Sequence, residues 1–212
     1  MKGVVAAGSA LTKEAGLEAL RRGGNAVDAA IASTIMAGVA EPLLSGMGGA
    51  GVATVRFNGE THFVDFFANM PGLDCPDAEP APMDEVSIDF GPTTQTFLVG
   101  NGAVAVPGMA AGIHALHERF GSLPLDVLVK PAVQAAHSGV PVTAGFERVC
   151  ALLWPILERS DSVRQMFSRD GKPLTEGDVY RCEALGGTLE EFGQVGLSLF
   201  TEGRVAQAML QH

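Results

Sequence analysis

Apolar and polar positions alternate along this chain with two periods. Leu11, Ala15, Leu17, Ala19 and Leu20 recur near helical spacing, which predicts a helix over 11–22 stopped by Gly23. The next run, from Ala26 to Ala40, is built of small and apolar residues lying between two glycine-rich turns. It predicts a helix packed closely on a flat surface, with Asn25 as N-cap, Asp28 in the favourable first turn and Pro42 closing the element. Ahead of both, residues 3–7 read as a short apolar strand. Two β-rich runs, 52–57 and 61–67, flank Asn58-Gly59, the residue pair that a tight type I′ hairpin turn favours.

Residues 72–91 are rich in Pro, Asp and Glu and show no period, so they predict a surface excursion. A further β segment is expected over 97–106, ended by Pro107-Gly108. Helical spacing returns over 109–120, with Gly121 as its stop. Pro124 suits the first position of the following helix; Pro131 is expected to break or restart that helix and Gly139 to end it. Residues 143–158 read as helical with a disturbance at Pro155, and 183–192 and 203–210 as two short helices.

At 212 residues with no visible repeat or linker, the chain is expected to form one domain over 1–212. Its 47% apolar and 18% charged content is that of a globular chain with a buried core. A net charge of −10 argues against nucleic acid, whose phosphates need a basic footprint, and is the ordinary charge of a soluble surface. Cys75, Cys150 and Cys182 are odd in number and lack CxxC spacing, so they read as free thiols. No run reaches the ~18 apolar residues of a membrane helix. Met1-Lys2 leads directly into the expected first strand, so no leader peptide is read and a cytoplasmic location is expected.

Candidate chemistry is sparse. The turn holding Gly46, Gly48, Gly49 and Gly51 follows a helix and precedes a strand, the reverse of a nucleotide-binding loop. It reads either as close backbone packing or as a turn that also lines a pocket. His114 and His117 share a helix face beside Glu118, but no third ligand stands at a metal-binding spacing, so an exposed amphipathic helix is expected. His62 and Asp65 fall on opposite faces of one strand and form no dyad, and His137 sits near a helix end. Ser9 reads as an N-cap. With no G-x-S-x-G elbow, the chain offers no nucleophile–base pair, and no catalytic residue, metal or cofactor is assigned to it.

Three stretches carry a resemblance. GGNAVDAA (23–30), Glu41-Pro42 with the Ser-Gly-Met-Gly-Gly turn (45–49), and VAVPGMAAGIHALHERFGSLPL (104–125) closely resemble the opening of the γ-glutamyltranspeptidase family. FTEGRVAQ (200–207) is similar to a later segment of the same large subunit. The resemblance implies an α+β fold, part of an αββα sandwich of the N-terminal nucleophile hydrolase type, covering the front of the large subunit. It implies an autoprocessed precursor in which the new N-terminal threonine of a small subunit attacks an amide and forms an acyl-threonine. The partners implied are the remaining large-subunit segment and that small subunit, with a small-molecule amide such as glutathione as substrate. No nucleic acid or membrane is implied.

One departure bears on specificity. The family's D-F-R-E-x-A-P stretch, whose arginine grips the glutamyl α-carboxylate, reads here Asp65-Phe66-Phe67-Ala68-Asn69-Met70-Pro71. Phe67 takes the arginine position and offers no donor. Three functions remain open: a γ-glutamyl amidohydrolase or acyltransferase, an acylase for amides without the glutamyl carboxylate, and a catalytically inert interaction partner. If Phe67 is instead a buried strand residue, the register of that comparison is shifted by one.

Overall fold

The computed structural model describes residues 3–72, 75, 77, 79 and 81–211. In chain order these form α1 (Ala10–Arg21), α2 (Ala26–Ala40), β1 (Gly51–Phe57), β2 (Glu60–Phe66), β3 (Asp84–Asp89), β4 (Thr94–Val99), α3 (Met109–Phe120), α4 (Leu125–Ser138), α5 (Ala144–Leu157), α6 (Asp161–Met166), α7 (Glu183–Val195), α8 (Ser198–Thr201) and α9 (Arg204–Leu210). They assemble into two compact units, and the chain passes repeatedly between them. One unit comprises residues 1–68, 107–140 and 181–212; the other comprises 69–106 and 141–180.

In the first unit α2 is the central element. Val27, Ala29, Ile31, Ala32, Ile35, Met36 and Val39 are all buried, because the helix packs on α1, α3 and α4. Small residues let the axes approach: a Cβ added to Gly16 of α1 would lie 3.0 Å from the Ala29 carbonyl oxygen. Helix α4 packs in turn on α7, burying Leu128, Val129 and Ala132 together with Leu189 and Phe192.

The β1/β2 hairpin closes as the Asn-Gly pair predicts. Asn58 and Gly59 have φ of 49° and 85°, and the register runs from Phe57↔Glu60 to Gly51↔Phe66. Ala53, Val55, Val64 and Phe66 face the protein, while Val52, Thr54, Phe63 and Asp65 face outward.

In the second unit β3 and β4 form a hairpin on which α5 packs. Phe146, Phe167 and Tyr180 make an aromatic cluster, with the Phe167 and Tyr180 rings stacked at 5.3 Å. A tight hairpin pairs Ser168–Arg169 with Lys172–Pro173 through Asp170 (φ 51°) and Gly171 (φ 74°), another type I′ signature.

Several expectations change. Residues 3–7, expected as a first strand, are assigned to no strand, and their backbone makes no hydrogen bond to another described residue. Residues 73, 74, 76, 78 and 80 of the expected excursion lie outside the described residues, and its later part holds β3, where Val86 and Ile88 alternate with Glu85, Ser87 and Asp89. Pro124 is the N-cap of α4 and not its first residue. Helix α4 runs through Pro131 unbroken, because buried residues on both sides of the ring hold it against its neighbours.

The polar key of the first unit is Asp28, which is fully buried. Its Oδ2 accepts from the Asn25 N–H at 2.7 Å and from the Ser122 hydroxyl; its Oδ1 accepts from the Ser122 and Leu123 N–H groups at 2.9 and 3.3 Å. With Asn25 it completes a reciprocal capping box on α2. Burial pushes this carboxyl up, but the Ser122 hydroxyl and the three backbone donors outweigh it and hold the group below the usual aspartate range.

A depressed folded-state value means that the stabilisation is fully present above about pH 4, the unfolded aspartate value, and is lost as pH falls through the folded one. Asp28→Asn puts a donor among donors and should cost about 2–4 kcal/mol in urea melts at pH 7. It should also flatten the fall of stability between about pH 4 and pH 2. A variant that melts with the parent at both pH values would contradict this.

Candidate functional site

The first unit brings the glycine turn, the end of strand β2 and the start of α3 to one place. The turn begins where the Glu41 carbonyl accepts from the Leu44 and Ser45 N–H groups at 2.9 and 3.1 Å. It tightens through the Gly49 N–H donating to the Gly46 carbonyl at 2.9 Å. The Gly49 carbonyl then accepts from the Gly108 and Met109 N–H groups at 3.1 and 3.0 Å. Helix α3 has no side-chain cap, and this turn carbonyl satisfies its first free donors instead.

The glycines divide by their surroundings. None of Gly46, Gly48, Gly49 and Gly51 has positive φ, so left-handed geometry is not what the turn requires. A Cβ on Gly49 would stand 3.0 Å from the Gly46 oxygen, and one on Gly51 would stand 2.6 Å from the Phe66 ring. Over Gly46 and Gly48 the space is open. Close packing therefore explains part of the turn, and a free surface lies over the rest.

Phe66 is the anchor of the strand end. A Cβ on Gly112 would fall 2.1 Å from its ring, and one on Gly108 would fall 2.0 Å from its carbonyl oxygen. The two glycines, one turn apart on α3, clear a slot for this residue's backbone and ring. The Phe67 N–H donates to Asp65 Oδ1 at 2.9 Å, which turns the chain as it leaves the strand. Phe67 itself is 66% exposed. It is thus fixed on both sides and stands outside the core. The sequence singled out Phe67 as the position of the family arginine but missed the slot around its neighbour; the glycine spacing of 108 and 112 was the available signal.

Other candidates lie elsewhere. His117 is not on an exposed face: its Nε2 hydrogen-bonds the Leu123 carbonyl at 2.8 Å and braces the α3–α4 loop. The His62 ring packs tilted against Phe120, with ring centroids 5.0 Å apart, while Asp65 is exposed. His137 lies against Gly186 of α7. Ser9 caps α1, accepting from the Thr12 N–H at 3.1 Å. The Thr12 hydroxyl donates to Glu41 Oε2 at 2.8 Å, a contact the sequence did not suggest. Cys75, Cys150 and Cys182 are free thiols. Among the described residues no group of three or more His, Cys, Asp or Glu is placed to hold a metal. No serine or threonine hydroxyl and no cysteine thiol among them hydrogen-bonds to a histidine.

The chain matches the family described as Gamma-glutamyltranspeptidase over residues 12–212. Glutathione hydrolase proenzyme 1 of Schizosaccharomyces pombe is 31% identical over 211 residues, covering 99% of this chain and 32% of that protein. Acylase ACY 1 proenzyme of Pseudomonas sp. (strain V22) is 33% identical over 177 residues, covering 83% of this chain and 32% of that protein. The crystal structure of Helicobacter pylori gamma-glutamyltranspeptidase superposes with a TM-score of 0.84 at 25% identity, covering 99% of this chain and 59% of that one. This chain spans about a third of the length of these two curated relatives. The fold is the α+β, partial αββα sandwich of the N-terminal nucleophile hydrolases.

The Phe66 slot makes a direct expectation. Gly112→Ala drives a Cβ into the ring and should cost about 1–3 kcal/mol in denaturant melts, as overpacking does. Gly48→Ala, with open space above it, should stay within about 0.5 kcal/mol of the parent. Phe66→Ala should make Gly112→Ala cheap in the double variant. Equal costs for the two glycine variants would show that the slot is not closely packed.

Proposed function

This chain belongs to the γ-glutamyltranspeptidase family, and from that premise we propose that it is the front part of the large subunit of an amide-cleaving hydrolase or acyltransferase. Its nucleophile is the N-terminal threonine of a small subunit released when the precursor cleaves itself. The threonine hydroxyl attacks the amide carbonyl and its own α-amino group takes the proton, a recognised way of activating a weak nucleophile. The amine leaves, and water or an acceptor amine then removes the acyl group from the threonine. The lack of a serine–, threonine– or cysteine–histidine pair among the described residues supports a nucleophile located elsewhere.

The observation that carries the specificity is Phe67, held outward at the end of strand β2 by the Phe66 slot and the Asp65 turn. At that position an arginine would pair bidentately with a carboxylate, and a phenyl ring cannot. A carboxylate buried against it loses its partner, while an apolar acyl group loses nothing. Arg56 does not substitute for the missing cation. It pairs with Thr61 near the hairpin turn, six residues along the strand from Phe67, or roughly 20 Å at strand rise. The relative named an acylase agrees with this second reading, an acylase for groups without the glutamyl α-carboxylate.

Two assays follow. Residues 1–212 alone should not turn over an activated anilide; turnover removed by one Ser or Thr substitution in this chain would contradict the assignment. In the complete precursor, catalytic efficiencies are compared for a γ-glutamyl anilide and an acyl anilide lacking the α-carboxylate. The parent should prefer the second, and Phe67→Arg should move the ratio about tenfold toward the first. The shift should be incomplete, because Ala68 supplies no carboxylate to steady the guanidinium. A parent that strongly prefers the γ-glutamyl anilide would show that the carboxylate is gripped elsewhere. A precursor that neither cleaves itself nor hydrolyses either anilide would support the inert-partner reading.

A further inference from the structure

The chain holds two Asn-Gly pairs, Asn58-Gly59 and Asn101-Gly102, and the fold treats them differently. Asparagine is a chemically labile residue, and most so before glycine. The backbone nitrogen of the glycine attacks the side-chain amide of the asparagine, and a glycine brings no side chain to crowd that nitrogen. The attack needs a nitrogen free of hydrogen bonds, a side-chain amide free to turn toward it, and room for a five-membered ring.

Asn58-Gly59 meets these needs. Both residues are exposed at the tip of the β1/β2 hairpin, with φ of 49° and 85°. Neither the Gly59 N–H nor the Asn58 side-chain amide has a hydrogen-bond partner among the described residues. A Cβ built on Gly59 would meet nothing within 4 Å. Asn101-Gly102 is held shut instead. The Gly102 N–H donates to the Pro82 carbonyl at 3.2 Å, and Gly102 lies hard against the Ala81 carbonyl and the Met83 side chain. Asn25 precedes an alanine and spends its side chain on the α2 cap and on the Phe120 carbonyl.

We propose that Asn58 is a site of spontaneous covalent modification, converted through a succinimide to aspartate and isoaspartate, and that the fold spares Asn101. The Gly59 nitrogen gives its proton to water or hydroxide and bonds to Asn58 Cγ. The Cγ–Nδ2 bond breaks and the amide nitrogen leaves as ammonia. Water then opens the ring, so one water is consumed and one ammonia released, with no change of oxidation state. Opening at Cγ gives aspartate; opening at the main-chain carbonyl gives isoaspartate, whose chain runs on through Cβ and Cγ. The aspartate product suits the turn, which takes Asp-Gly as it takes Asn-Gly. The isoaspartate product threads an extra carbon through a two-residue turn and disrupts the Phe57↔Glu60 pairing. It thereby loosens Phe57 and His62, whose rings lie 5.5 and 5.0 Å from that of Phe120.

The test ages the full-length protein at mildly alkaline pH, in native buffer and in urea, and follows the two Asn-Gly peptides by mass spectrometry. In native buffer the Asn58 peptide should gain the mass of an amide-to-acid conversion severalfold faster than the Asn101 peptide. Its product should separate into two species of equal mass, one of them a methyl acceptor for protein isoaspartyl methyltransferase. In urea the two rates should converge, because both glycine nitrogens are then free. Asn58→Gly, which a type I′ turn accepts, should remove methyl acceptance from the hairpin peptide. Equal rates in native buffer, faster conversion at Asn101, or an Asn58 peptide that stays unchanged would overturn the proposal. So would a native difference that persists in urea, since the fold would not then be its cause.

Discussion

One buried carboxylate organises the first unit. Asp28 gathers four donors in a place where an unpaired charge could not persist. It fixes the start of α2 and at the same time draws the Gly121–Leu123 loop between α3 and α4 onto that start. Its neighbours are shaped around it. Gly23 turns the chain at φ 94°, and a Cβ on Gly24 would lie 2.9 Å from Asp28 Oδ2. The Asn25 amide donates to the Phe120 carbonyl at 2.7 Å, and His117 holds the Leu123 carbonyl from the other side. Two sequence stretches about 95 residues apart, GGNAVDAA and FGSLPL, are therefore a single structural object.

The position of Phe67 depends on that object. With α2 and α3 fixed, the glycine turn after α2 can cap α3 through the Gly49 carbonyl, and α3 can present Gly108 and Gly112 to Phe66. Phe66 in its slot sets where strand β2 ends and hence where Phe67 emerges. Few polar contacts are involved, and each is short-range. The precision comes from excluded volume at three glycines, which is a steep function of distance and leaves little slack.

Local signals were the ones legible in the sequence. The caps at Ser9 and Asn25, the Asn58-Gly59 turn, and the stops at Gly23, Gly121 and Gly139 all rest on interactions within a few residues. Longer-range determinants were not legible. Residues 3–7 read as a strand from their apolar run, but a strand is defined by its partner, and none among the described residues pairs with them. Strand β3 was hidden because Glu85 and Asp89 occupy outward alternate positions, so composition masked a sound period. Pro131 suggested a break from local chemistry alone, yet burial of Leu128, Val129, Ala132 and Ala136 carries the helix through. At the candidate site, family resemblance drew attention to Phe67, whereas the slot that Gly108 and Gly112 make for Phe66 needed three-dimensional contacts from residues 40 and more positions away.

The central claim is that Asp28 and the Ser122-Leu123 loop act as one unit. A double-mutant cycle with Asp28→Ala, Ser122→Ala and both together, read by urea denaturation at pH 7 with amide hydrogen exchange at Leu123, measures it directly. The account predicts a coupling of about 1–3 kcal/mol and fast exchange at Leu123 in every variant lacking the carboxylate. Additive costs, with Leu123 still protected after Asp28 is removed, would show that the loop is held without it and would contradict the account.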